Sequence, residues 1–272
     1  MKLINPSFEI YEQGPGIKGI YEAIEKAGRT CYKSQRKEGT TAKDFVDKMI
    51  ASQHFAMLEH GTVYLYLSKE AAIREPILLY FLEDNKYTVV KRLLGGYYIT
   101  TNYRVIMEGP KLVQRKYKSY AVSPTEFHEK RVTVRFTADI HFYKDTTRHR
   151  VFSWAIESTR FCNYLKEKFG MSVSFMRPTW IKEEDIPELE EDCRIMESIY
   201  FKWINKGYQA QHAAYFLPQG TKAEVIMTGF ASDYNHFFDL RAKGTTGKPH
   251  PDVQALVEPL MQEFINRHII EK

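Results

Sequence analysis

Apolar residues recur at helical spacing in the first fifty positions. A first helix is predicted whose inward positions are Ile17, Ile20, Tyr21, Ile24 and Ala27. We expect Gly28 to end it, because glycine is the residue that most often stops a helix. A second helix is predicted to begin near Thr41, with Phe45, Val46, Met49 and Ile50 facing inward.

The next stretch is rich in β-formers. "TVYLYLS" (62–68) predicts a strand, and Ser68 is placed to cap a following helix that is broken near Pro76. "YYITTNYRVI" (97–106) is also β-rich. "RVTVRFT" (131–137) alternates, so that Val132, Val134 and Phe136 share one side of a strand.

No proline or glycine interrupts the chain from Thr146 to Phe169, and this predicts a helix. On a helix, His149, Ser153 and Glu157 would share one face, because they are spaced four residues apart.

The last hundred residues alternate between helix and strand patterns. An amphipathic helix is predicted over 188–206, a strand over "KAEVIMT" (222–228) and a helix over "DYNHFFDLR" (233–241). A final helix is predicted from Asp252 to Ile270, with a kink at Pro259. Strands and helices mix without a βαβ rhythm, so we predict the α+β class, and without linkers or repeats we predict one domain over 1–272.

Composition and charge narrow the class of protein. Apolar residues make up 43% of the chain, enough for a sizeable core, and 39 basic against 34 acidic residues give a net charge of +5. This mild excess gives only weak support for a polyanionic partner. The N-terminus lacks the apolar core of a signal peptide, and no window is long enough to span a membrane. We therefore expect a cytoplasmic protein that binds neither membrane nor nucleic acid.

Several common catalytic and metal-binding motifs are missing. The three cysteines, Cys31, Cys162 and Cys193, include no CxxC pair, which argues against a disulfide framework or a structural zinc site. The chain has no GxGxxG, HExxH or GxSxG motif. "GTTGKPH" (244–250) has the wrong glycine spacing for a phosphate loop. We expect no metal.

The most unusual stretch is "TTRHRVFSWAIESTRF" (146–161). Arg148, His149 and Arg150 are consecutive and stand among apolar residues, which a solvated basic run would not need. Guanidinium groups bind phosphate through two parallel hydrogen bonds and stay charged at every working pH. Two arginines around a histidine, with Ser158 as a neutral donor, therefore predict a site for a phosphate or pyrophosphate.

The spacing Arg148-His149-Arg150, Ser153, Ser158, Arg160 resembles the signature of the flavin-dependent thymidylate synthases, the ThyX family. Six further stretches match in family order: "AGRTCYKS" (27–34), "MLEHGTVYLYL" (57–67), "TTNYRVI" (100–106), "FLPQGTKAEVIMT" (216–228), "HFFDLR" (236–241) and "PHPDVQAL" (249–256). The resemblance therefore covers most of the chain.

The resemblance implies a fold and a reaction. It implies a ThyX-like fold with a mixed or antiparallel sheet and flanking helices, assembled as a homotetramer with active sites at subunit interfaces. Family members methylate dUMP at C5 to make dTMP. 5,10-Methylenetetrahydrofolate donates the carbon, NADPH is the reductant, and bound FAD relays hydride. No protein cysteine attacks the pyrimidine, so the protein's task is positioning and electrostatics.

The resemblance also implies residue roles at the cofactor. Arg148, His149 and Arg150 match the triplet that contacts FAD. The remaining expected cofactor contacts are His60, Cys31 at a position that is often serine, Glu157 as the acidic residue of the motif, and His236. Without the family context, His60 and His236 would be interpreted as core residues and Cys31 as a small buried one.

A second set of roles concerns dUMP. The expected substrate-binding residues are Asp145, Arg148, Glu157, Ser158, Thr159, Arg160 and Arg241. Arg241 matches an arginine placed against the uracil ring, where a cation would stabilise negative charge as N3 loses its proton. We therefore predict Arg241 to be the catalytic residue. Its alternative role is that of a cation at a helix C-terminus.

The chain departs from the family pattern at several positions. Ala155, Ile156 and Phe161 replace the motif's usual Asn, Glu and Tyr. Ala214 stands where an arginine usually holds the dUMP phosphate, and "GFASDYN" (229–235) replaces a stretch that usually carries Asn and Arg for the flavin. Lys144, Lys222 and His212 are candidates to compensate for the lost cation.

These departures leave two other hypotheses open. The chain could be a relative that keeps FAD but has an altered pyrimidine substrate, an altered carbon transfer or no activity. It could instead be a non-catalytic nucleotide- or RNA-binding protein, which would need basic residues interleaved with exposed aromatics. "KYKSY" (116–120) is the only candidate for such a surface.

Overall fold

The computed structural model describes residues 1–271. The strands of these residues are β1 (Lys2–Ile4), β2 (Ser7–Tyr11), β3 (Thr62–Ser68), β4 (Val89–Leu93), β5 (Gly96–Asn102), β6 (Arg131–Asp139), β7 (Ser153–Ile156), β8 (Ser174–Met176) and β9 (Lys222–Phe230). Their helices are α1 (Gly16–Tyr32), α2 (Ala42–Ala51), α3 (Lys69–Arg74), α4 (Pro76–Glu83), α5 (Tyr103–Glu108), α6 (Lys111–Lys116), α7 (Ile140–Thr146), α8 (Ile186–Asn205), α9 (Ala210–Ala213), α10 (Asp233–Phe238) and α11 (Pro251–Asn266).

A four-stranded sheet of order β2-β6-β9-β7 forms the centre of the molecule, and every neighbouring pair in it is antiparallel. As predicted, Val132, Val134 and Phe136 lie buried on one face of β6. Helices α10 and α11 cover that face, where Phe237, Leu260 and Phe264 pack into the same core.

Two smaller sheets complete the β structure. Strands β3, β5 and β4 form an antiparallel sheet, and their apolar side chains share a core with α1 and α2. Strands β1 and β8 form a short parallel pair beside the core that Tyr200 of α8 anchors. Antiparallel pairing dominates and helices flank the sheets, which confirms the α+β class.

Most predicted elements are confirmed. Ser68 caps α3 by accepting a hydrogen bond from the Ala71 backbone N–H, and α4 begins at Pro76. Thr41 and Asp44 form a reciprocal capping box at the start of α2. The stretch "YYITTNYRVI" divides at Asn102, which ends β5 and caps α5 with its side chain.

The predicted end of the first helix is wrong. Helix α1 continues past Gly28 to Tyr32 and ends at Lys33, which has a left-handed φ of 45°. Gly28 serves packing instead, because a Cβ there would lie 2.5 Å from Cζ of Phe45. The glycine therefore allows α2 to approach α1.

The predicted helix over 146–169 is also wrong. Helix α7 ends at Thr146, turns follow to Phe152, and residues 153–156 form strand β7. Ser153 and Ala155 are buried while Trp154 and Ile156 are half-buried, the two-residue period of a strand. Pairing with β9, a strand in the middle of the sheet, outweighs the absence of helix breakers.

The later elements follow the predictions closely. Helix α8 and strand β9 lie where they were expected, and α10 continues into a π-helical segment, Asp239–Lys243. Helix α11 contains Pro259 but ends at Asn266, before the predicted end at Ile270.

Two further features bear on the sequence predictions. Across residues 1–271, none of the helices combines the length and the apolar character needed to cross a membrane. Cys31, Cys162 and Cys193 are free thiols.

Substituting Gly229 tests how β9 positions the segment before β7. A Cβ at Gly229 would lie 2.3 Å from Cδ1 of Phe152, a buried ring of the core. We expect Gly229→Ala to lower the free energy of unfolding by about 2 kcal/mol, because the ring would have to move within a packed core. Urea unfolding of the variant measures this. Gly220→Ala is the control, since a Cβ at Gly220 meets nothing within 4 Å; equal losses in both variants would contradict the packing argument.

Candidate functional site

Strand β7 divides the predicted site residues into two groups. The chain enters β7 from Asp145 and His149 and leaves it at Glu157 and Ser158. The two groups therefore lie at opposite ends of a four-residue edge strand. A helix would have stacked His149 and Glu157 on one face; the strand separates them.

We call Asp145, His149, His236 and Arg241 the Arg241 cluster. Arg241 Nη1 donates a hydrogen bond to Asp145 Oδ2 at 2.7 Å, and Nη2 donates to the Asp145 backbone oxygen at 2.8 Å. Its Nε donates to His149 Nε2 at 3.2 Å. Three contacts from one planar group fix the guanidinium in position.

His149 acts as a neutral acceptor in this cluster. Burial, and next the nearby charge of Arg241, lower its pKa to about 4. The ring packs against Phe237 and His236, with ring centroids 5.1 and 5.8 Å away. Because Nε2 accepts from Arg241, the ring proton belongs on Nδ1.

Arg148 and Arg150 flank His149 of this cluster in the sequence, and His236 is its most exposed member. All three side chains are exposed. Among residues 1–271, neither Arg148 nor Arg150 forms an ion pair. Their charges therefore remain available to an anion.

A cleft opens beside the Arg241 cluster. It has a volume of about 630 Å³. Its lining residues are His141, Asp145, Leu240, Arg241, Thr246, Gly247, Lys248, Pro249, His250 and Pro251. Two predicted substrate-binding residues, Asp145 and Arg241, thus share a wall of one cleft.

We call Lys33, Glu157, Lys222 and Glu224 the Glu157 cluster. The Glu157 carboxylate is buried and accepts hydrogen bonds from Lys222 Nζ at 2.7 Å and from the Glu224 backbone N–H at 3.0 Å. Lys33 Nζ lies 2.6 Å from Glu224 Oε1 and 3.5 Å from Glu157 Oε2. Two cations and two anions therefore neutralise one another at the end of β7.

The pKa shifts follow from this balance. Burial alone would raise the pKa of Glu224, but Lys222 and Lys33 outweigh it and lower the pKa to about 2. Burial alone would lower the pKa of Lys222, but Glu157 and Glu224 outweigh it and raise the pKa. Burial and the charge of Lys222 lower the pKa of Lys33, despite both carboxylates. The cluster is thus occupied by its own counter-charges.

The remaining motif residues follow Glu157. The Ser158 backbone N–H donates to the Cys31 carbonyl at 3.0 Å, which ties the motif to the end of α1. Ser158 and Thr159 are half-buried, and Arg160 is exposed with its guanidinium 5.8 Å from the ring of Phe161. Burial raises the pKa of the Cys31 thiol, so this cysteine is not an activated nucleophile.

His60 lies in the core rather than at the surface. It is 1% exposed, and its Nδ1 lies 2.8 Å from Thr228 Oγ1 in β9. Burial, and next the charge of Arg131, lower its pKa to about 3. A contact between His60 and a flavin stays a prediction, and it would require the flavin to reach this buried side chain.

Sequence reasoning missed part of both groups. Lys33 and Glu224 were not singled out, although Lys222 and Glu224 stand two apart in β9 and so share one face of the strand. His141, Lys248 and His250 were also missed. His141 stands four residues before Asp145 on α7, a helical spacing that could have indicated it, whereas Lys248 and His250 line the cleft only because the loop before α11 lies beside α7.

Comparison with known proteins identifies the family. A model of the Thy1 family, described as thymidylate synthase complementing protein, matches residues 95–268, more than half of the chain. The chain belongs to this family. The resemblance to the ThyX family stated from the sequence is thereby confirmed.

Individual relatives are distant. A flavin-dependent thymidylate synthase from Pyrococcus furiosus is 31% identical over 97 residues, which are 35% of this chain and 38% of the relative's length. The UMP/dUMP methylase PolB from Streptomyces cacaoi, bound with 5-Br UMP, aligns with a TM-score of 0.47 at 13% identity, over 98% of this chain and 92% of PolB. PolB bound with 5-Br dUMP aligns with the same score at 12% identity, over 98% and 93% of the two chains.

The exposed residues fit a flavin nucleotide in part. Arg148 and Arg150 carry free guanidinium groups beside the Arg241 cluster, which suits a diphosphate. Glu157 is sequestered by two lysines and His60 is buried, so neither side chain faces a ligand within one chain. Within residues 1–271, no three His, Cys, Asp or Glu side chains are grouped to hold a metal ion.

Removing Lys222 tests whether the Glu157 cluster is a structural unit. We expect Lys222→Met to lower the free energy of unfolding by about 3 kcal/mol, because it leaves a buried carboxylate short of a partner. Urea denaturation measures the loss, with the exposed Lys144→Met as the control. The double variant Glu157→Gln/Lys222→Met should lose less than the sum of the two single variants; simple additivity would show that the pair is uncoupled.

His60 gives a pH signature. Its pKa is about 3 when folded, against 6.5 as the ordinary value, so the unfolded chain binds an extra proton between these limits. Stability should therefore fall as the pH drops from 6.5 to 4.5. His60→Gln should reduce this slope by about 1.4 kcal/mol per pH unit, the effect of one proton. Urea unfolding at several pH values measures it, with the exposed His268→Gln as the control; an unchanged slope in His60→Gln would contradict the assignment.

Proposed function

We propose that this protein is a flavin-dependent thymidylate synthase. It methylates dUMP at C5 to give dTMP, with 5,10-methylenetetrahydrofolate as the carbon donor, NADPH as the reductant and FAD as the cofactor. Membership of the Thy1 family supports the proposal, and so does the relative from Pyrococcus furiosus that bears this activity in its name.

The observation that carries the proposal is the fixed guanidinium of Arg241. Asp145 and His149 hold it on the wall of a cleft of about 630 Å³. A pyrimidine in this cleft would meet a permanent cation that needs no reorganisation as the ring gains negative charge. Fixed charge of this kind lowers the barrier to forming an anionic ring, which makes C5 more nucleophilic.

Asp145 and His149 act as positioning residues in this proposal. The Asp145 carboxylate forms an ion pair with Arg241, with Oδ2 2.7 Å from Nη1. Because its charge is compensated in this way, it does not repel an anionic ring. His149 stays neutral because its pKa is about 4, and it therefore accepts from Arg241 rather than competing with it. Together they leave one guanidinium N–H on each terminal nitrogen for a substrate.

Bound FAD would supply the two-electron chemistry that turns the transferred carbon into a methyl group. Arg148 and Arg150 would bind its diphosphate, and exposed His236 would line the same surface. His149 would support this surface from beneath, through its contacts with Arg241 and His236. Cys31 and Glu157 lie at the other end of β7 and His60 is buried against Thr228, so their cofactor contacts are proposed separately from this surface.

Assembly is part of the proposal. Arg148, Arg150 and Arg160 are exposed in one chain, which suits sites completed by a neighbouring chain in a homotetramer. Ser158, Thr159 and Arg160 would then bind dUMP at such an interface. One catalytic domain over 1–272 is supported by the contact of Cys31 in α1 with Ser158.

The missing phosphate-binding arginine is not replaced by Lys222. Ala214 leaves no cation at its position, and Lys222 is bound at 2.7 Å to Glu157 and at 3.0 Å to Glu224. Lys144 and His212 are exposed and remain candidates.

The stretch proposed as an RNA-binding surface, residues 116–120, is partly buried and partly paired. In "KYKSY", Tyr117 is only 2% exposed and belongs to the core, and Lys116 pairs with Glu75 at 2.7 Å. The stretch therefore does not present the interleaved basic and aromatic face that RNA binding needs.

The activity is tested by release of tritium from [5-³H]dUMP. We expect the purified protein to bind FAD and to release tritium only with NADPH and methylenetetrahydrofolate present. Binding of FAD without tritium release would favour a relative with an altered substrate or carbon transfer. A protein that takes up no FAD would contradict the proposal in both forms.

Arg241→Lys tests the catalytic role. Lysine keeps the charge but cannot contact Asp145 and His149 together, so we expect FAD content to be unchanged and turnover to fall about 100-fold. Single-turnover tritium release measures it. Lys243→Met, in the same π-helical segment but tied to Asp239, is the control and should retain full turnover; an Arg241→Lys enzyme of normal rate would remove the assigned role.

A further inference from the structure

The lining of the cleft beside Arg241 contains one cation without a counter-charge in the part of the chain that the structure describes, Lys248. Besides Arg241 it contains Lys248, His141 and His250, which come from α7 and from the loop before α11. Its single lining carboxylate is that of Asp145, which is already bound to Arg241. Lys248 is exposed and forms no ion pair among residues 1–271. The lining therefore has an excess of positive charge.

Asp252, two residues after the lining residue His250, already has partners of its own. Asp252 Oδ2 lies 3.8 Å from His250 Nδ1. Its Oδ1 accepts hydrogen bonds from the backbone N–H and the hydroxyl of Thr179, both at 2.6 Å, and its Oδ2 accepts from Trp180 Nε1 at 3.2 Å. Both oxygens of the Asp252 carboxylate therefore already accept hydrogen bonds.

Two imidazoles contribute hydrogen-bonding capacity. The rings of His141 and His250 lie 4.1 Å apart. His250 Nδ1 accepts from the Asp252 backbone N–H at 3.3 Å, so its ring proton belongs on Nε2, where it can donate. His141 Nδ1 is buried and has no hydrogen-bond partner within residues 1–271. A buried ring nitrogen without a partner is costly unless a ligand or water satisfies it.

The backbone allows close approach. Gly247 has φ 151°, a conformation that favours glycine, and a Cβ there would meet nothing within 4 Å. The loop leads into the N-terminus of α11, a helix of 16 residues whose first residue is Pro251. The positive end of the helix dipole adds to the charge of Lys248 at this wall.

We propose that this cleft binds the anionic group of a small molecule, a phosphate or a carboxylate, with Lys248 as its main charged contact. His250 Nε2 and the nitrogen of His141 supply hydrogen bonds beside it. The signature arginines Arg148, Arg150 and Arg160 do not line this cleft. The anion could come from the phosphate of a nucleotide or from the glutamate carboxylates of a folate. Only this choice of source rests on the proposed function.

Equilibrium dialysis with radiolabelled inorganic pyrophosphate tests the site directly, in an Arg148→Met/Arg150→Met background that removes the exposed arginines proposed for the FAD diphosphate. We expect saturable binding that Lys248→Met weakens about tenfold, because one charged hydrogen bond is lost. Lys243→Met removes an exposed lysine outside the cleft and should bind pyrophosphate as the background variant does. Absence of saturable binding, or equal affinities in both variants, would overturn the proposal.

Competition against the bound pyrophosphate distinguishes the two sources. Displacement by dUMP but not by deoxyuridine assigns the site to a nucleotide phosphate. Displacement that strengthens from folic acid to its pentaglutamate assigns it to the folate tail. A protein without thymidylate synthase activity would still bind pyrophosphate through Lys248 if the site is correct, so failure of the proposed function and failure of this site give different results.

Discussion

The pairing of β7 with β9 is the constraint on which the rest of the site depends. Because β7 is only four residues long and lies at the sheet edge, the motif residues before and after it are held at its two ends. Before β7, His149 meets Arg241 from the π-helical segment; after it, Glu157 meets Lys33 and Lys222. One strand thus orders two charged groups with different roles.

The two groups differ in their net charge. The Glu157 cluster balances two cations against two carboxylates, which stabilises the join between α1 and the sheet but leaves no charge for a ligand. The surface around the Arg241 cluster has a net positive charge. Asp145 forms an ion pair with Arg241, while Arg148, Arg150 and Lys248 are exposed and unpaired within residues 1–271. An anionic substrate is therefore expected at the second group, and structural stability at the first.

The sequence predicts much of this molecule where local rules decide. The cap at Ser68, the start of a helix near Thr41 and the alternation in β6 could be predicted because they depend on neighbouring residues. The family motif was readable from spacing alone. The strand at 153–156 was not, because its two-residue period is short and its pairing partner lies about seventy residues later. Lys33 and Lys248 could not be predicted for the same reason: the fold, not the spacing, makes them neighbours of the site. His141 differs, because it stands four residues before Asp145 on α7 and its spacing could have indicated it.

A crystal structure of the protein with FAD and dUMP would show whether Asp145 and His149 hold Arg241 in place to stabilise a pyrimidine. We expect the uracil ring in the cleft, within hydrogen-bond distance of the Arg241 guanidinium, with the contacts to Asp145 and His149 intact. A uracil ring bound elsewhere, or an Arg241 side chain turned away from both partners, would contradict it.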